Sequence, residues 1–238
     1  GTAAQFLQEA CAAARVRHPN IVDVFDYGHT ADGRPYLVME LLDGVSLRSM
    51  LQHGAMDTAD TLILAKALAS ALMAAHARGI VHSDVTPSNI ILEGGELERL
   101  KLLDFGLARF ADAEPIEETE ELVAGTPLYI SPEQIRGKVP TSLSDQYSFG
   151  AVLYELLTGQ PPYVDKNMKS VCLMHLTKEV PVVRSELSPL PLRMVDLVTR
   201  CLQKKPENRF VNMQCVYEEL VAIESQLSRR GWRRWLAQ

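Results

Sequence analysis

Two short runs decide the fold: His82-Ser83-Asp84-Val85-Thr86-Pro87-Ser88-Asn89 and Leu103-Asp104-Phe105-Gly106. Between them, the apolar stretches Asn89 to Leu92 and Leu100 to Leu103 flank a Glu93-Gly94-Gly95-Glu96 turn, which is a hairpin pattern. A hairpin returns Asp104 to the neighbourhood of Asn89, so a loop carboxylate, a loop amide and a second carboxylate converge. Oxygen ligands of this kind suit Mg²⁺, which takes one or two protein ligands and leaves the rest to water and phosphate. Asp84 lies on the same loop, where it can accept a proton from a substrate hydroxyl. The plainer alternative for this loop is a polar turn with an N-capping Asp.

Working outward, the 238 residues are 47% hydrophobic and 23% charged, as expected of one large globular domain with a sizeable core. Cys11, Cys172, Cys201 and Cys215 form no Cys-x-x-Cys pair, so neither a disulfide framework nor a zinc site is expected, and a reducing cytosol fits best. The net charge is −6, yet the last eleven residues, Ser228 to Gln238, hold four arginines and no acid. The body without them is more acidic still, which argues against a nucleic-acid partner. The most apolar long stretch, Leu62 to Ala77, contains Lys66 and reads as too short to span a bilayer; no signal peptide is expected before it.

The spacing predicts a helix over Ala3 to Arg17, closed by Pro19, and then strands over Ile21 to Tyr27 and Pro35 to Glu40 joined by a turn with Asp32 and Gly33. A long helix is expected from Asp57 to Arg78, stopped by Gly79, with His76 a packing or capping residue. The strand Ile80-Val81 follows. Leu107 to Ala124 carries six acids against one arginine and reads as a loop. Further helices are expected from Ser144 to Thr158, about Leu192 to Gln203, and Asn212 to Leu227.

His-x-Asp-x-x-x-x-Asn, followed fifteen residues later by Asp-Phe-Gly, resembles the catalytic loop and metal-binding motif of eukaryotic-like bacterial serine/threonine protein kinases. The resemblance extends to His18-Pro19-Asn20-Ile21-Val22, to Tyr36 through Gly44, to Gly125-Thr126-Pro127 and Ser131-Pro132-Glu133, and to Ser144 through Gly150. It covers about Phe6 to Leu227. Small-molecule kinases share His-x-Asp and a later Asp but lack the Gly-Thr-Pro and Pro-Glu segment.

The resemblance implies an α+β protein-kinase-like fold. Residues 1–42 would form a partial N-terminal lobe and hinge, 43–227 a helical C-terminal lobe, and 228–238 a basic Trp/Arg tail, either of juxtamembrane type or the solvated basic end of the last helix. It implies ATP and Mg²⁺ as cofactors and protein substrates as partners, in the cytoplasm or on the cytoplasmic side of a membrane anchor. Asp84 would be the base, with Thr86 and Thr126 also in the catalytic group and Asn89 and Asp104 holding Mg²⁺. Met39 would stand behind the adenine, with the backbones of Glu40 and Leu42 at its edge, Ile91 beneath it and Ser46 nearby. Glu9 would pair with an ATP-contacting lysine. His82, Phe105, Glu133, Asp145 and Arg209 would be structural: His82 on the Phe105 ring, Asp145 on the catalytic-loop backbone, Arg209 paired with Glu133.

Three departures qualify the match. No residue matches the glycine-rich loop or the anchoring lysine, Ser83 stands where an arginine is usual, and Thr86 where a lysine is usual. Negligible activity is therefore expected of residues 1–238 alone. Thr119, the only hydroxyl between Leu107 and Ala124, is not expected to need phosphorylation, because Ser83 removes the cation that would grip it. The alternative to a kinase is a pseudokinase or docking module; Asp84, Asn89 and Asp104 together favour catalysis.

Overall fold

The computed structural model describes residues 16–104, 109–110 and 127–235, with backbone alone at 35, 109–110 and 229–235. Glu9, Phe105, Thr119 and Thr126 lie outside the described residues. Two strands, β1 (Val24–His29) and β2 (Pro35–Met39), form an antiparallel hairpin around the expected Asp32–Gly33 turn. The three residues of β3 (Gly44–Ser46) lead into a short helix, α1 (Leu47–Leu51). Next come the long helix α2 (Thr58–His76) and β4 (Ile80–Val81). The strands β5 (Ile90–Glu93) and β6 (Leu100–Leu102) form the expected hairpin, and β3 joins it to give the order β3-β5-β6.

Helices account for most of the rest: α3 (Pro132–Ile135), α4 (Ser142–Thr158), α5 (Met168–Thr177), α6 (Leu192–Cys201) and α7 (Met213–Trp235). Between β6 and α3, β7 (Arg109–Phe110) pairs antiparallel with β4. The acidic stretch read as a loop thus contributes at least one short strand. The architecture is α+β, a small sheet-containing part followed by a helical one.

Local chemistry sets the helix ends. Asp57 caps α2 by accepting from Asp60 N at 2.8 Å, and Gly79 and Gly159 take φ of 70° and 80° at the two stops the sequence marks. Helix α2 has 19 residues, long and apolar enough by composition to cross a membrane, contrary to the expectation that the stretch is too short. Its packing explains the composition instead. It lies between α4, α7, β4 and β6, so residues such as Leu62, Leu64, Leu68 and Leu72 are buried on more than one side. Helix α4 is deeper still, every residue from Ser144 to Leu157 being buried.

Three expectations about boundaries change. Val16 and Arg17, the end of the helix expected over 3–17, are outside any helix, and residues 3–15 lie outside the described residues. The run expected as one strand from Ile21 divides. Ile21 and Val22 are buried beside β6, with Val22 N donating to Leu102 O at 3.1 Å and Leu102 N to Asn20 O at 2.9 Å; pairing with β2 starts only at Val24. Helix α7 continues through residues 228–235 without a break at Leu227.

Candidate active site

The site is built around one buried carboxylate. Asp145, in the first turn of α4, accepts from Ser83 N at 2.7 Å on one oxygen and from His82 N at 2.8 Å on the other. His76 Nε2, at the end of α2, donates to the same Oδ2 at 2.8 Å. The carboxylate is fully buried, and these three donors offset its desolvation. Asp145 therefore holds the backbone of the His82–Asn89 loop, and His76 proves to be its partner rather than a plain cap.

His82 bonds on both ring nitrogens. Nε2 donates to Leu103 O at 2.8 Å, and Nδ1 accepts from Asp84 N at 3.2 Å. A carbonyl only accepts and a backbone amide only donates, so the partners select the neutral Nε2–H tautomer. His82 thus joins the start of the loop to the end of β6, a structural role.

The hairpin brings the expected residues together. Leu103 N donates to Asn89 O at 2.8 Å, extending the β5–β6 ladder by one step and placing Asp104 next to Asn89. Asn89 Nδ2 donates to Asp84 Oδ2 and to Asp84 O, each at 2.9 Å. This turns the amide nitrogen toward Asp84 and leaves the amide oxygen to face elsewhere. Asp104 is exposed. One amide oxygen and one exposed carboxylate make a donor set that fits Mg²⁺. Among the described residues no cluster of three His, Cys, Asp or Glu competes as a metal site.

Backbone strain is concentrated here. Ser83 (φ 70°) and Asp104 (φ 48°) are the non-glycine residues at positive φ among those described. Such conformations cost about 1–3 kcal/mol each and persist where surrounding contacts hold them. Thr86 precedes the 3₁₀ turn Pro87–Asn89 and gives it no side-chain cap.

The expected nucleotide edge lies along the strands. Ser46 and Ile91 are cross-strand partners, and Ile91 in turn faces Lys101. Ser46 also caps α1, accepting from Ser49 N at 3.2 Å. Glu40 N donates to Asp23 O at 2.9 Å, so of its backbone only the carbonyl is left for an adenine. The Glu40 carboxylate accepts from Lys101 Nζ at 2.6 Å, a pair that sequence reading missed although Lys101 alternates with buried Leu100 and Leu102. Leu42 is half-buried. Met39, expected behind the adenine, is 40% exposed. Phe25, Tyr27 and Val38 of the same β1–β2 hairpin are exposed as well.

The expected ion pair forms across 76 residues: Arg209 Nη1 and Nη2 donate to Glu133 Oε1 at 2.7 Å and Oε2 at 2.9 Å. Burial pushes the Glu133 carboxyl up, but the hydrogen bonds and charge of Arg209 outweigh it and hold the group below its ordinary range. A third buried carboxylate, Glu155 on α4, was not anticipated. Arg48 Nη1 of α1 donates to it at 2.8 Å, and the Tyr129 hydroxyl donates to its other oxygen. Burial and the Glu155 charge push the Tyr129 hydroxyl well above its usual range.

A loop carboxylate bonded to a following asparagine, a hairpin returning a second carboxylate, and a buried Glu–Arg pair behind them define the protein-kinase class of fold. The chain belongs to the protein kinase family, whose domain model matches residues 1–221. It is 37% identical over 224 residues to a probable serine/threonine-protein kinase of Clostridium acetobutylicum, covering 93% of this chain and 33% of that protein. Over 227 residues it is 36% identical to the serine/threonine-protein kinase PknB of Mycobacterium leprae, covering 93% of this chain and 36% of that one. A serine/threonine-protein kinase of Myxococcus xanthus is 35% identical over 236 residues, 95% of this chain and 34% of the relative. The chain spans about a third of the length of these curated relatives.

Proposed function

We propose that the protein transfers the γ-phosphoryl group of ATP to serine or threonine hydroxyls of protein substrates. The observation that carries this reading is the double bonding of Asn89, whose side-chain amide nitrogen donates to the Asp84 carboxylate and whose backbone carbonyl accepts from Leu103 N. Asp84 orients the substrate hydroxyl and receives its proton as the new P–O bond forms. Asn89 and Asp104 hold Mg²⁺, which when bound neutralises charge on the transferring phosphates. Asp145 and His82 fix the loop so that little rearrangement is needed at the moment of reaction. Met39, Glu40, Leu42, Ser46 and Ile91 form the adenosine side.

The phosphate cradle is the part that residues 1–238 do not supply by any motif match. The reading therefore includes weak Mg-ATP binding and negligible transfer by these residues alone, and activity when a glycine-rich loop and lysine are joined to them. ATP as donor puts the site on the cytoplasmic side, and the basic tail fits an anionic membrane surface there. The test is transfer of labelled γ-phosphate to a serine- and threonine-containing protein, by the chain together with any residues that precede it in its gene. Phosphoserine or phosphothreonine is expected, and Asp84→Asn should remove it. Micromolar Mg-ATP affinity by calorimetry for residues 1–238 alone would overturn the cradle argument, and absence of transfer by the longer chain would overturn the enzyme reading.

A further inference from the structure

We infer that Gln134 is a positioning residue that fixes the peptide bond immediately before Asp84 and so couples the Ser131–Glu133 segment to the base; this rests on the kinase reading above. Ser83 adopts φ 70°, and its buried Oγ has no hydrogen-bond partner. Its own side chain therefore contributes no hydrogen bond to that conformation, which is held through the backbone. On one side Ser83 N donates to Asp145 Oδ1 at 2.7 Å; on the other, Gln134 Nε2 donates to Ser83 O at 2.8 Å.

The Ser83 carbonyl and the Asp84 amide belong to one rigid peptide plane. The amide end is held by the longer bond to His82 Nδ1 at 3.2 Å, so the shorter contact on this plane is the one from Gln134. The plane sets where the Asp84 Cα, and hence its carboxylate, points toward Asn89.

Gln134 in turn is anchored at its other end. Its Oε1 accepts from Ser131 Oγ at 2.7 Å and from Ser131 N at 3.1 Å, completing a capping box on α3. A carbonyl partner demands the amide nitrogen and a backbone N–H demands the oxygen, so the partners fix the orientation of the side chain. Glu133, next to it, is locked to Arg209. The same side chain thus caps one motif and grips the other, 51 residues away.

The two roles separate chemically. Glutamate at this position keeps the acceptor that a capping box uses and replaces the donor to Ser83 O by a charged oxygen that repels that carbonyl. Gln134→Glu should make amide exchange at Ser83 and Asp84 about tenfold faster. With the chain and any residues preceding it in its gene, kcat should fall about tenfold with KM for ATP unchanged. Gln134→Met, which adds no charge, should lower kcat by a similar factor. Wild-type kcat in either variant, or unchanged exchange at Ser83 and Asp84, overturns the inference, since a capping role alone would leave Gln134→Glu like wild type. If Gln134→Glu fails to fold, Gln134→Met decides by the same readouts when set beside Ser131→Ala, which weakens the cap and keeps the donor to Ser83 O. Absence of phosphoryl transfer by the wild-type protein refutes the kinase reading instead, and the exchange measurement then judges Gln134 by itself.

Discussion

Asp145 and Ser83 meet across 62 residues, the buried carboxylate accepting from the backbone N–H of Ser83 at 2.7 Å while its second oxygen takes His82 N. An asparagine can serve only one of these two donors through its oxygen and turns an N–H₂ toward the other. Asp145→Asn should cost about 1.5–3 kcal/mol, the range for a hydrogen bond to a charged group. Urea unfolding would measure it, and a change under half a kcal/mol would contradict the role given to this carboxylate.

Asp84 and Asp104 should separate kinetically. In the proposed mechanism Asp84 is the base and acts in the transition state, so Asp84→Asn is expected to lower kcat about a hundred- to ten-thousand-fold with ATP affinity nearly unchanged. Asp104→Asn removes the proposed metal oxygen and should weaken Mg-ATP binding as well. Steady-state kinetics beside nucleotide titration distinguishes the two. Equal loss of ATP affinity in both variants would reverse these assignments.

The Glu133–Arg209 pair predicts both a mutational and a pH effect. Arg209→Met strands a buried carboxylate and should destabilise by about 3–5 kcal/mol. The Glu133 carboxyl is depressed in the folded state, so its stabilisation is complete above the ordinary carboxylate range. It is lost as pH falls below that range, because the unfolded chain then binds the proton first. Arg209→Met should therefore flatten the acid limb of the stability curve, as guanidinium titrations at several pH values would reveal.

His175 gives the opposite kind of group. It is buried on α5 with Nδ1 against the Tyr147 hydroxyl at 2.8 Å, and burial together with the Lys204 charge pushes its pKa down to about 3. Between that value and its ordinary 6.5 the unfolded chain binds a proton that the folded chain refuses, so stability falls as pH drops through this window. His175→Gln, which retains a hydrogen-bonding side chain but does not titrate, should lessen that fall. An unchanged slope from pH 6.5 to 4 would rule the histidine out.

The strong sequence signals were those whose physics is local. The β5–β6 hairpin follows from two apolar runs around a double glycine, so Asn89 and Asp104 could be brought together on paper, and α2 follows from its spacing and glycine stop. The protein-kinase match supplied longer-range pairs such as Glu133 with Arg209, which the structure bears out. Glu9, Phe105 and Thr126 are outside what the structure describes.

What tertiary structure alone decided are the contacts no spacing encodes. Gln134 reads as half of a capping box until its other end is seen on Ser83, and Arg48 and Glu155 are 107 residues apart with no shared motif. Met39 and Phe25 sit in patterns normal for buried strand residues, yet the β1–β2 hairpin has no further strand beside it among the described residues and leaves them exposed. Sequence periodicity tells which face of an element seeks cover, because that follows from the backbone geometry of the element itself. Which partner covers it, and which distant carbonyl a side-chain amide finds, is set only when the packed elements fix their mutual positions.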